Sequence, residues 1–473
     1  MAPLGTYSGD MAETPPSGRL ARTARLGGLV AGQSIRWAGT RTANLVRSPD
    51  RADAATGERT AALARELVAQ LSHLRGAAMK VGQVLSTIDF TAIPESEREE
   101  FKRTLASLRD DVPSLPFRKV ERLVASELGD KLSDCFEDFE HDAFAAASIG
   151  QVHRAVTADG VPVAVKIQYP GVAEAVETDL RNLGVLLPIV KRLAPGLDVR
   201  ALAAELRERI AEELDYEIEA QNQRAVERAF RGHPFITVPH VHTRLCSRRV
   251  LVTTYLDGRR FEEVKALDEA TRDRFGEIVF RFFFGLMTRT GRCSGDPHPG
   301  NYLLLRDGHV GFLDFGLMRT IPADYLEQER ALARAAAAGD ADEVHEVMGA
   351  LGYLPMPEEF EPEMLLEHLR TAGEWYLEPG VRRLTPAYVA ELTEIGASPR
   401  SPFFEMLRRL TIPPQALLIR RMEGLVFSTL GELRAAGDWH AIASEYFAAA
   451  PPSTPLGEAD AAFWDDRAVD LAA

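Results

Sequence analysis

The 473-residue sequence predicts an α+β fold in which a small β-containing lobe precedes a larger helical lobe. The first observation is an alternating apolar pattern on both sides of the turn Asp159-Gly160, which predicts a β-hairpin over residues 155–169. The second is a predominantly helical pattern from Ala266 onward, interrupted at residues 291–316. The length allows two or three domains, at roughly 100 to 200 residues each.

The composition and charge are those of a folded globular protein. Hydrophobic residues make up 45% of the chain and charged residues 26%. The formal net charge of −15 argues against a nucleic-acid partner, because proteins that neutralise phosphates carry a basic excess. The three cysteines are widely separated, so neither a disulfide framework nor a cysteine zinc site is expected. We expect a cytoplasmic protein in a reducing compartment.

The N-terminal segment is the one basic stretch of this acidic chain. Residues 14–49 contain six arginines and no acidic residue. Two interpretations stay open: an amphipathic helix lying on the inner face of an anionic membrane, or a frayed tail with one helix packed on the domain. No stretch of the chain has the roughly 18 to 20 uninterrupted apolar residues that span a bilayer, so any membrane contact is expected to be peripheral.

The patterns divide the chain into five segments. We expect a partly disordered or amphipathic basic segment, a helical extension, a β-containing lobe, a helical lobe and an acidic flexible tail, at residues 1–58, 59–115, 116–257, 258–447 and 448–473. Within the β-containing lobe, leucines and isoleucines spaced by four predict one long amphipathic helix over residues 198–230.

The most informative segment for chemistry runs from residue 295 to residue 316. Asp296 and Asn301 have the D-x-x-x-x-N spacing of a kinase catalytic loop, and Asp314 begins a DFG triplet beyond a predicted hairpin. Phosphoryl transfer from ATP needs a carboxylate that orients the acceptor, and a carboxamide and second carboxylate that hold Mg²⁺. Asp296 is therefore a candidate catalytic base, and Asn301 and Asp314 are candidate metal ligands.

Two further motifs lie around the first predicted hairpin. Lys166 ends the sequence Val-Ala-Val-Lys on its second strand, from which it can reach the α and β phosphates, and it is one of only 7 lysines beside 48 arginines. The sequence Ala145-Ala146-Ala147-Ser148-Ile149-Gly150-Gln151-Val152 overlays the kinase template G-x-G-x-x-G-x-V, with alanine at the first two glycines. Because alanine lacks the backbone freedom of glycine, this loop is expected to hold nucleotide phosphates differently.

Together these motifs resemble the AarF/UbiB family of atypical protein-kinase-like proteins, which is associated with ubiquinone biosynthesis. The sequence Lys80-Val81-Gly82-Gln83 is similar to the family's K-x-G-Q motif, and Glu213-Leu214-Asp215 is similar to its E-x-D motif. Glu219 stands where the family has a glutamate that pairs with the strand lysine, and the alanine-rich loop also matches. The resemblance covers roughly residues 63–433.

The resemblance implies a two-lobed protein-kinase-like fold whose N-terminal helical extension packs on the active site. It implies Mg-ATP as cofactor, ATPase-type activity, and a lipid or quinone precursor as a further partner. Lys166 and Glu219 would form the ion pair that bridges the lobes, although Glu213 stays open as an alternative partner. Lys80 and Gln83 would meet Glu213 and Asp215 near the phosphates. At about 100° per residue, however, Glu213 is turned about 200° from Asp215, so both cannot face one site from an undistorted helix.

The sequence departs from the family pattern at two places. Thr254 stands where the family commonly has a glutamate before the linker, so the adenine contacts expected around Thr254 and Tyr255 involve a different polar network. Cys293-Ser294 precede the catalytic loop where relatives often have an aromatic or a His-Ala pair. Two alternatives to an ATP-dependent enzyme of this family stay open: a small-molecule phosphotransferase of the aminoglycoside or choline kinase type, and a nucleotide-binding pseudokinase scaffold.

Overall fold

The computed structural model describes residues 62–64, 101, 115–147, 149–174, 176–177, 190, 214–397 and 401–472. The chain forms two compact units, residues 1–112 with 171–210, and residues 113–170 with 211–473. In the first unit, Leu63 and Phe101 are helical and buried. The predicted basic segment at residues 1–58 lies outside the described residues. Within the described part of the chain, no helix is long and apolar enough to cross a bilayer.

The first part of the second unit is built around a five-stranded antiparallel sheet. The sheet order is β1 (Phe136–Phe139), β3 (Gly150–Thr157), β4 (Pro162–Gln168) and β6 (Val250–Thr254), and β2 (Ala145–Ala147) also pairs with β3. Gly160, with φ +78°, forms the turn between β3 and β4 and confirms the predicted hairpin. The elements of this part are α1 (Phe117–Leu128), α2 (Leu132–Cys135), β1 (Phe136–Phe139), β2 (Ala145–Ala147), β3 (Gly150–Thr157), β4 (Pro162–Gln168), α3 (Tyr216–Phe230), β5 (Ile236–Thr237) and β6 (Val250–Thr254).

Strand β4 shows how the sheet presents a charged residue on one face. Val163, Val165 and Ile167 are fully buried and pack with the apolar face of α1. Successive side chains on a strand point to opposite faces, so Lys166 lies on the other face of the sheet. The alternation that buries the valines therefore also fixes where the lysine points.

Helix α3 begins later than the leucine spacing predicts. Asp215 has extended backbone angles (φ −130°, ψ 94°), and its side chain caps the helix by accepting a hydrogen bond from the Glu217 amide. The predicted continuous helix over residues 198–230 is therefore wrong at its junction with α3. An aspartate satisfies a free amide at a helix start, and this cap competes with continuing the helix through residue 215.

The larger, helical part is built around helix α5 (Glu269–Thr290). A run of buried aromatic residues on α5 packs against α12 (Pro414–Leu433) and α13 (Trp439–Phe447) in the main core. Two small sheets accompany these helices. One has the strand order β7-β9-β10-β5, and the other pairs β8 with β11. The elements are β7 (Gly258–Arg260), α4 (Phe261–Lys265), α5 (Glu269–Thr290), β8 (Arg292–Ser294), β9 (Tyr302–Leu305), β10 (Val310–Phe312), β11 (Met318–Thr320), α6 (Ala323–Ala338), α7 (Ala341–Leu351), α8 (Pro362–Ala372), α9 (Glu374–Leu377), β12 (Arg382–Arg383), α10 (Pro386–Ala397), α11 (Phe404–Leu407), α12 (Pro414–Leu433), β13 (Ala436–Gly437), α13 (Trp439–Phe447) and α14 (Pro455–Ala472).

The C-terminal segment differs from the flexible tail expected at residues 448–473. It contains α14, whose Leu456 joins the main core. Asp460 is also buried and lies 3.0 Å from the Nε2 atom of His233. Acidic composition suggests a solvated tail, but the buried leucine and the His233 contact dock this helix on the rest of the unit.

Candidate functional site

Lys166 and Glu219 form the central ion pair of the site. The lysine Nζ lies 2.8 Å from both carboxylate oxygens of Glu219, whose side chain is only 7% exposed. Burial alone would lower the pKa of Lys166, but the carboxylate of Glu219, with smaller contributions from Tyr216 and Asp314, raises it above its ordinary value. The lysine is therefore held as a fixed positive charge, and Glu219 is its partner in this structure.

The DFG triplet lies against the helix that carries Glu219. Asn222, one turn further along α3, donates a 3.1 Å hydrogen bond to the carbonyl oxygen of Phe315. A Cβ atom built on Gly316 would lie 3.4 Å from Asp314 Oδ1 and 3.7 Å from Glu219 Oε2. The Asn222–Phe315 hydrogen bond and the position of Gly316 between the two carboxylates show that Asp314 lies near the Lys166–Glu219 pair. These residues are far apart in sequence.

Asn301 and Asp314 meet at the open end of the β9–β10 hairpin, where β9 begins and β10 ends. Asn301 Nδ2 lies 3.4 Å from Asp314 Oδ2, and the Leu313 amide donates to the Asn301 carbonyl oxygen at 3.1 Å. The Gly316 amide donates to Asp314 Oδ1 at 2.9 Å, which fixes the carboxylate. A carboxylate and an amide carbonyl are hard oxygen donors, so these two side chains suit Mg²⁺, which takes most remaining ligands from water and phosphate.

Asp296 lies on the loop between β8 and the short 3₁₀ turn Pro299–Asn301. The β8–β11 ladder supports this loop, and the Gly295 amide donates to the Leu317 carbonyl oxygen at 2.9 Å. Arg421 of α12 donates from Nε to the Gly295 carbonyl oxygen at 2.8 Å, and its Nη2 lies 3.8 Å from Asp296 Oδ1. Asp296 is thus positioned from both the β-ladder and the helical core.

The alanine-rich segment forms a strand where the kinase template predicts a loop. Ala145, Ala146 and Ala147 are strand β2 and pair with Val152, Gln151 and Gly150. Ser148 lies outside the described residues. A Cβ atom on Gly150 would lie 2.1 Å from the Ile167 carbonyl oxygen. The glycine kept from the kinase template is therefore required by close backbone packing against β4, a reason that the template does not give.

Thr254 and Tyr255 end β6 and start the connection to the helical part. His242 Nε2 lies 3.2 Å from Thr254 Oγ1, so a histidine and a hydroxyl supply the polar network at this position. The Tyr255 amide donates to the Pro162 carbonyl oxygen at 3.0 Å, and its ring packs edge-on against Phe144 at 5.9 Å. The placement of both residues next to adenine stays a prediction.

The described residues give Asp215 a structural role. Its carboxylate caps α3 and also lies 3.5 Å from Arg248 Nε. Helix α3 begins at Tyr216, so Asp215 is not inside it. The angle of about 200° expected between Glu213 and Asp215 assumed one undistorted helix through both residues, and this assumption does not hold at Asp215. Lys80, Gln83 and Glu213 lie outside the described residues, so their contribution to the site stays a prediction.

Two residues that support the site were missed in the sequence. Asn222 is one helical turn after Glu219, and this spacing could have indicated that both face the same side of α3. Arg421 follows Arg420 within the otherwise apolar run Leu417 to Met422, and two charges inside such a run indicate polar contacts within the fold. The partners of both residues are mainly backbone carbonyl groups, which no local pattern reveals.

The antiparallel sheet with its lysine, the paired helix glutamate, and the Asp296, Asn301 and Asp314 positions define a protein-kinase-like fold. A family model, the ABC1 atypical kinase-like domain, matches residues 107–348, just over half of the chain. The chain belongs to this family of atypical kinases. The AarF/UbiB resemblance and the α+β kinase-like fold class are thereby confirmed.

The chain is similar to curated and structurally characterised proteins. It is 32% identical to the mitochondrial atypical kinase COQ8B of Rattus norvegicus over 70% of this chain and 62% of that protein. It is 31% identical to the mitochondrial atypical kinase COQ8 of Saccharomyces cerevisiae over 60% of this chain and 56% of that protein. The chain thus spans less than two thirds of either relative. Among solved structures, Rv3197 of Mycobacterium tuberculosis, in complex with erythromycin, matches with 33% identity and a TM-score of 0.62, covering 84% of this chain and 98% of that chain.

Proposed function

We propose that this protein is an ATP-dependent atypical kinase or ATPase that binds Mg-ATP between the sheet and the helical part. The observation that carries the proposal is the Lys166–Glu219 ion pair, with both oxygens at 2.8 Å, next to Asp314. In kinases this pair and the DFG aspartate must both be in place for phosphoryl transfer. Membership of the ABC1 family supports this proposal.

Each site residue has a proposed role. Lys166 would bind the α and β phosphates, and Asn301 with Asp314 would hold the Mg²⁺ ion, which neutralises charge on the transferred phosphoryl group. Asp296 would orient the attacking water or acceptor hydroxyl. Lys80, Gln83 and Glu213 are proposed to act near the phosphates, as the family resemblance implies, and Asp215 is proposed to act there in addition to capping α3.

The proposed physiological role is support of isoprenoid-lipid or quinone metabolism. The similarity to the COQ8 proteins of rat and yeast, and the resemblance to a family associated with ubiquinone biosynthesis, support this role. A lipid or quinone precursor is then the further partner, reached from a cytoplasmic position with peripheral membrane contact. Because the similar protein Rv3197 forms a complex with erythromycin, this macrolide is also a ligand to test with this chain.

The direct test of the nucleotide site uses Lys166→Ala beside Lys265→Ala. Lys265 lies on α4 and pairs with Glu262 and Glu432, away from the proposed site, so its loss controls for removing a lysine. Thermal stabilisation by Mg-ATP and phosphate release are measured for both variants. Loss of both signals in Lys166→Ala, with both kept in Lys265→Ala, supports the proposal. A Lys166→Ala variant with unaltered affinity and turnover would show that the site is elsewhere.

A further inference from the structure

A cavity separate from the proposed nucleotide site lies in the helical part, among α6, α8, α9, α12 and the end of α13. Its volume is about 230 Å³. None of the described residues assigned above to the nucleotide site lines this cavity. Most of its wall is apolar or aromatic, with Met287, Leu332, Ala336, Trp375, Ile419, Phe427 and Phe447. Ligand sites in proteins commonly combine such walls with a few converging polar groups.

The polar groups of this cavity are two carboxylates that share one guanidinium. Arg420 Nη1 donates to Glu423 Oε2 at 2.5 Å, and Nη2 of the same side chain donates to Glu329. Tyr353 bridges the group, because its hydroxyl donates to Glu329 Oε1 and accepts from Arg420 Nε, both at 3.2 Å. Glu329 is 4% exposed, and the side chain of Glu423 is 12% exposed. Formally, two negative charges face one positive charge.

The second carboxylate has no positive side chain of its own, and burial disfavours a negative charge without a counter-ion. Burial, and then the neighbouring Glu329, raise the pKa of Glu423 despite the contact with Arg420. A proton on Glu423 can balance the charges of the two carboxylates and the guanidinium. A bound cation can balance it as well, and it would stabilise the ionised form of both carboxylates.

The remaining polar side chains on the wall, His368 and Tyr376, add no positive charge. Burial lowers the pKa of His368 to about 4, so the ring is neutral near pH 7. Its Nδ1 atom is buried and has no hydrogen-bond partner among the described residues. On the same cavity wall, Trp375 stacks on Phe427 with ring centroids 4.9 Å apart, and the Tyr376 ring lies 6.3 Å from that of Phe447. Aromatic faces attract cations, especially where water is excluded.

We propose that this cavity is a second binding site, and that it takes a small apolar molecule carrying one ammonium group. The ammonium would lie at Glu423 and Glu329, and the apolar part would lie against Trp375 and Phe427. A volume of about 230 Å³ is below the roughly 300 to 1,000 Å³ of sites for drug-sized ligands, so a molecule of one ring is the expected size. A carboxylate of the same shape would add a third negative charge beside Glu329 and Glu423, which already share the single guanidinium of Arg420, so it is expected to bind more weakly.

The test titrates three probes of similar shape into the full-length protein without nucleotide. Benzylammonium is expected to bind, whereas benzyl alcohol and phenylacetate are expected to bind at least tenfold more weakly, as measured by calorimetry. Equal binding of benzyl alcohol, or preferred binding of phenylacetate, would overturn the charge argument. Absence of binding by all three probes would overturn the site itself. Because nucleotide is left out, these results do not depend on the proposed kinase function.

Two pairs of variants locate the binding. Glu423→Gln removes one carboxylate and should weaken benzylammonium at least tenfold, whereas Glu432→Gln, on the same helix and 46% exposed, should not. Ala333→Phe fills the cavity and should abolish binding, whereas Ala337→Phe on the exposed face of α6 should preserve it. If Glu423→Gln does not fold, Ala333→Phe and the three probes on the wild-type protein still test the proposed site. Binding that survives Ala333→Phe would place the ammonium site elsewhere.

Discussion

Arg421 donates a hydrogen bond from Nε to the carbonyl oxygen of Gly295, at 2.8 Å, and so fixes the backbone immediately before Asp296. The same guanidinium places Nη2 at 3.8 Å from Asp296 Oδ1, and its side chain is only 19% exposed. One side chain on α12 therefore holds both the backbone and the carboxylate of the proposed catalytic loop. Because a guanidinium offers several donors in a fixed plane, a lysine cannot reproduce both contacts.

We predict that Arg421→Lys lowers turnover while Mg-ATP affinity stays within about twofold. The charge remains, but Asp296 is positioned less well, and a loss of about tenfold in kcat corresponds to about 1.4 kcal/mol of transition-state stabilisation. Steady-state kinetics and nucleotide titration separate the two quantities. Arg408→Lys is the matched control, because that arginine pairs with Glu405 on the surface. An equal loss of affinity and turnover would contradict a positioning role.

Asp296→Asn and Asp314→Asn are expected to differ. Asp296→Asn should retain thermal stabilisation by Mg-ATP and lose roughly 10²- to 10⁴-fold in turnover, because an orienting base acts mainly in the transition state. Asp314→Asn should lose both, because the carboxylate holds the metal. The exposed turn variant Asp159→Asn controls for the substitution. Parallel loss of binding in Asp296→Asn would mean that this carboxylate contacts the nucleotide ground state.

The parts of the site that sequence reasoning can find are local ones. Asp296, Asn301 and Asp314 lie in one stretch of loop, hairpin and loop, so their spacing alone predicts that they converge. Lys166 can be found because it ends the motif Val-Ala-Val-Lys on a predicted strand, in a chain with only 7 lysines. The pairing with Glu219 needs the structure, because the choice depends on where α3 begins. The Asp215 cap determines that start, whereas the leucine spacing upstream indicates a continuous helix.

The features that sequence reasoning misses depend on contacts between distant segments. Asn222 and Arg421 bind carbonyl oxygens 93 and 126 residues away, and any residue type can supply a carbonyl. The acidic composition of the C-terminal segment predicts a loose tail where helix α14 lies. Its Asp460 contacts His233, 227 residues earlier in the chain. Composition records the charge of this segment but not the partner that buries it.

Stability is predicted to fall as the pH is lowered from 7 to 5, partly through His368. Burial lowers its pKa from 6.5 to about 4, so the unfolded chain takes up a proton that the folded protein does not. This contribution is fully present above about pH 6.5 and is lost as the pH falls toward 4, by roughly 2 kcal/mol at pH 5. Urea unfolding at both pH values should show a smaller loss in His368→Gln, whereas the exposed His141→Gln should behave as wild type.

Deleting residues 1–50 is predicted to reduce co-sedimentation with anionic vesicles without unfolding the core. The six arginines of residues 14–49 would each contribute on the order of 1 kcal/mol near an anionic surface, screened over a Debye length of about 8 Å at physiological salt. Sedimentation is measured at low and high salt, with melting temperature as the folding control. Equal sedimentation of both proteins would favour the alternative of a tail that packs on the domain.

The β2–β3 hairpin gives a prediction that separates nucleotide contact from backbone packing. Ala147 pairs with Gly150 next to the turn, so Ala147→Gly loosens the segment proposed to lie over the phosphates and should change the ratio of ATP to ADP affinity. Stability should fall by no more than about 1 kcal/mol, because glycine mainly enlarges the freedom of the unfolded chain. Intact-mass measurement would also detect autophosphorylation, which a looser segment would favour.

Gly150→Ala should show the opposite pattern, with a large effect on stability. Its new Cβ atom would lie 2.1 Å from the Ile167 carbonyl oxygen, and both strands must move to relieve this clash. Overpacking of this kind costs about 1 to 3 kcal/mol or more. Thermal melting and titration with both nucleotides distinguish the two variants. If Ala147→Gly folds normally and keeps the wild-type ATP-to-ADP ratio, the alanine-rich strand does not contact phosphate, and its alignment with the kinase template must be abandoned.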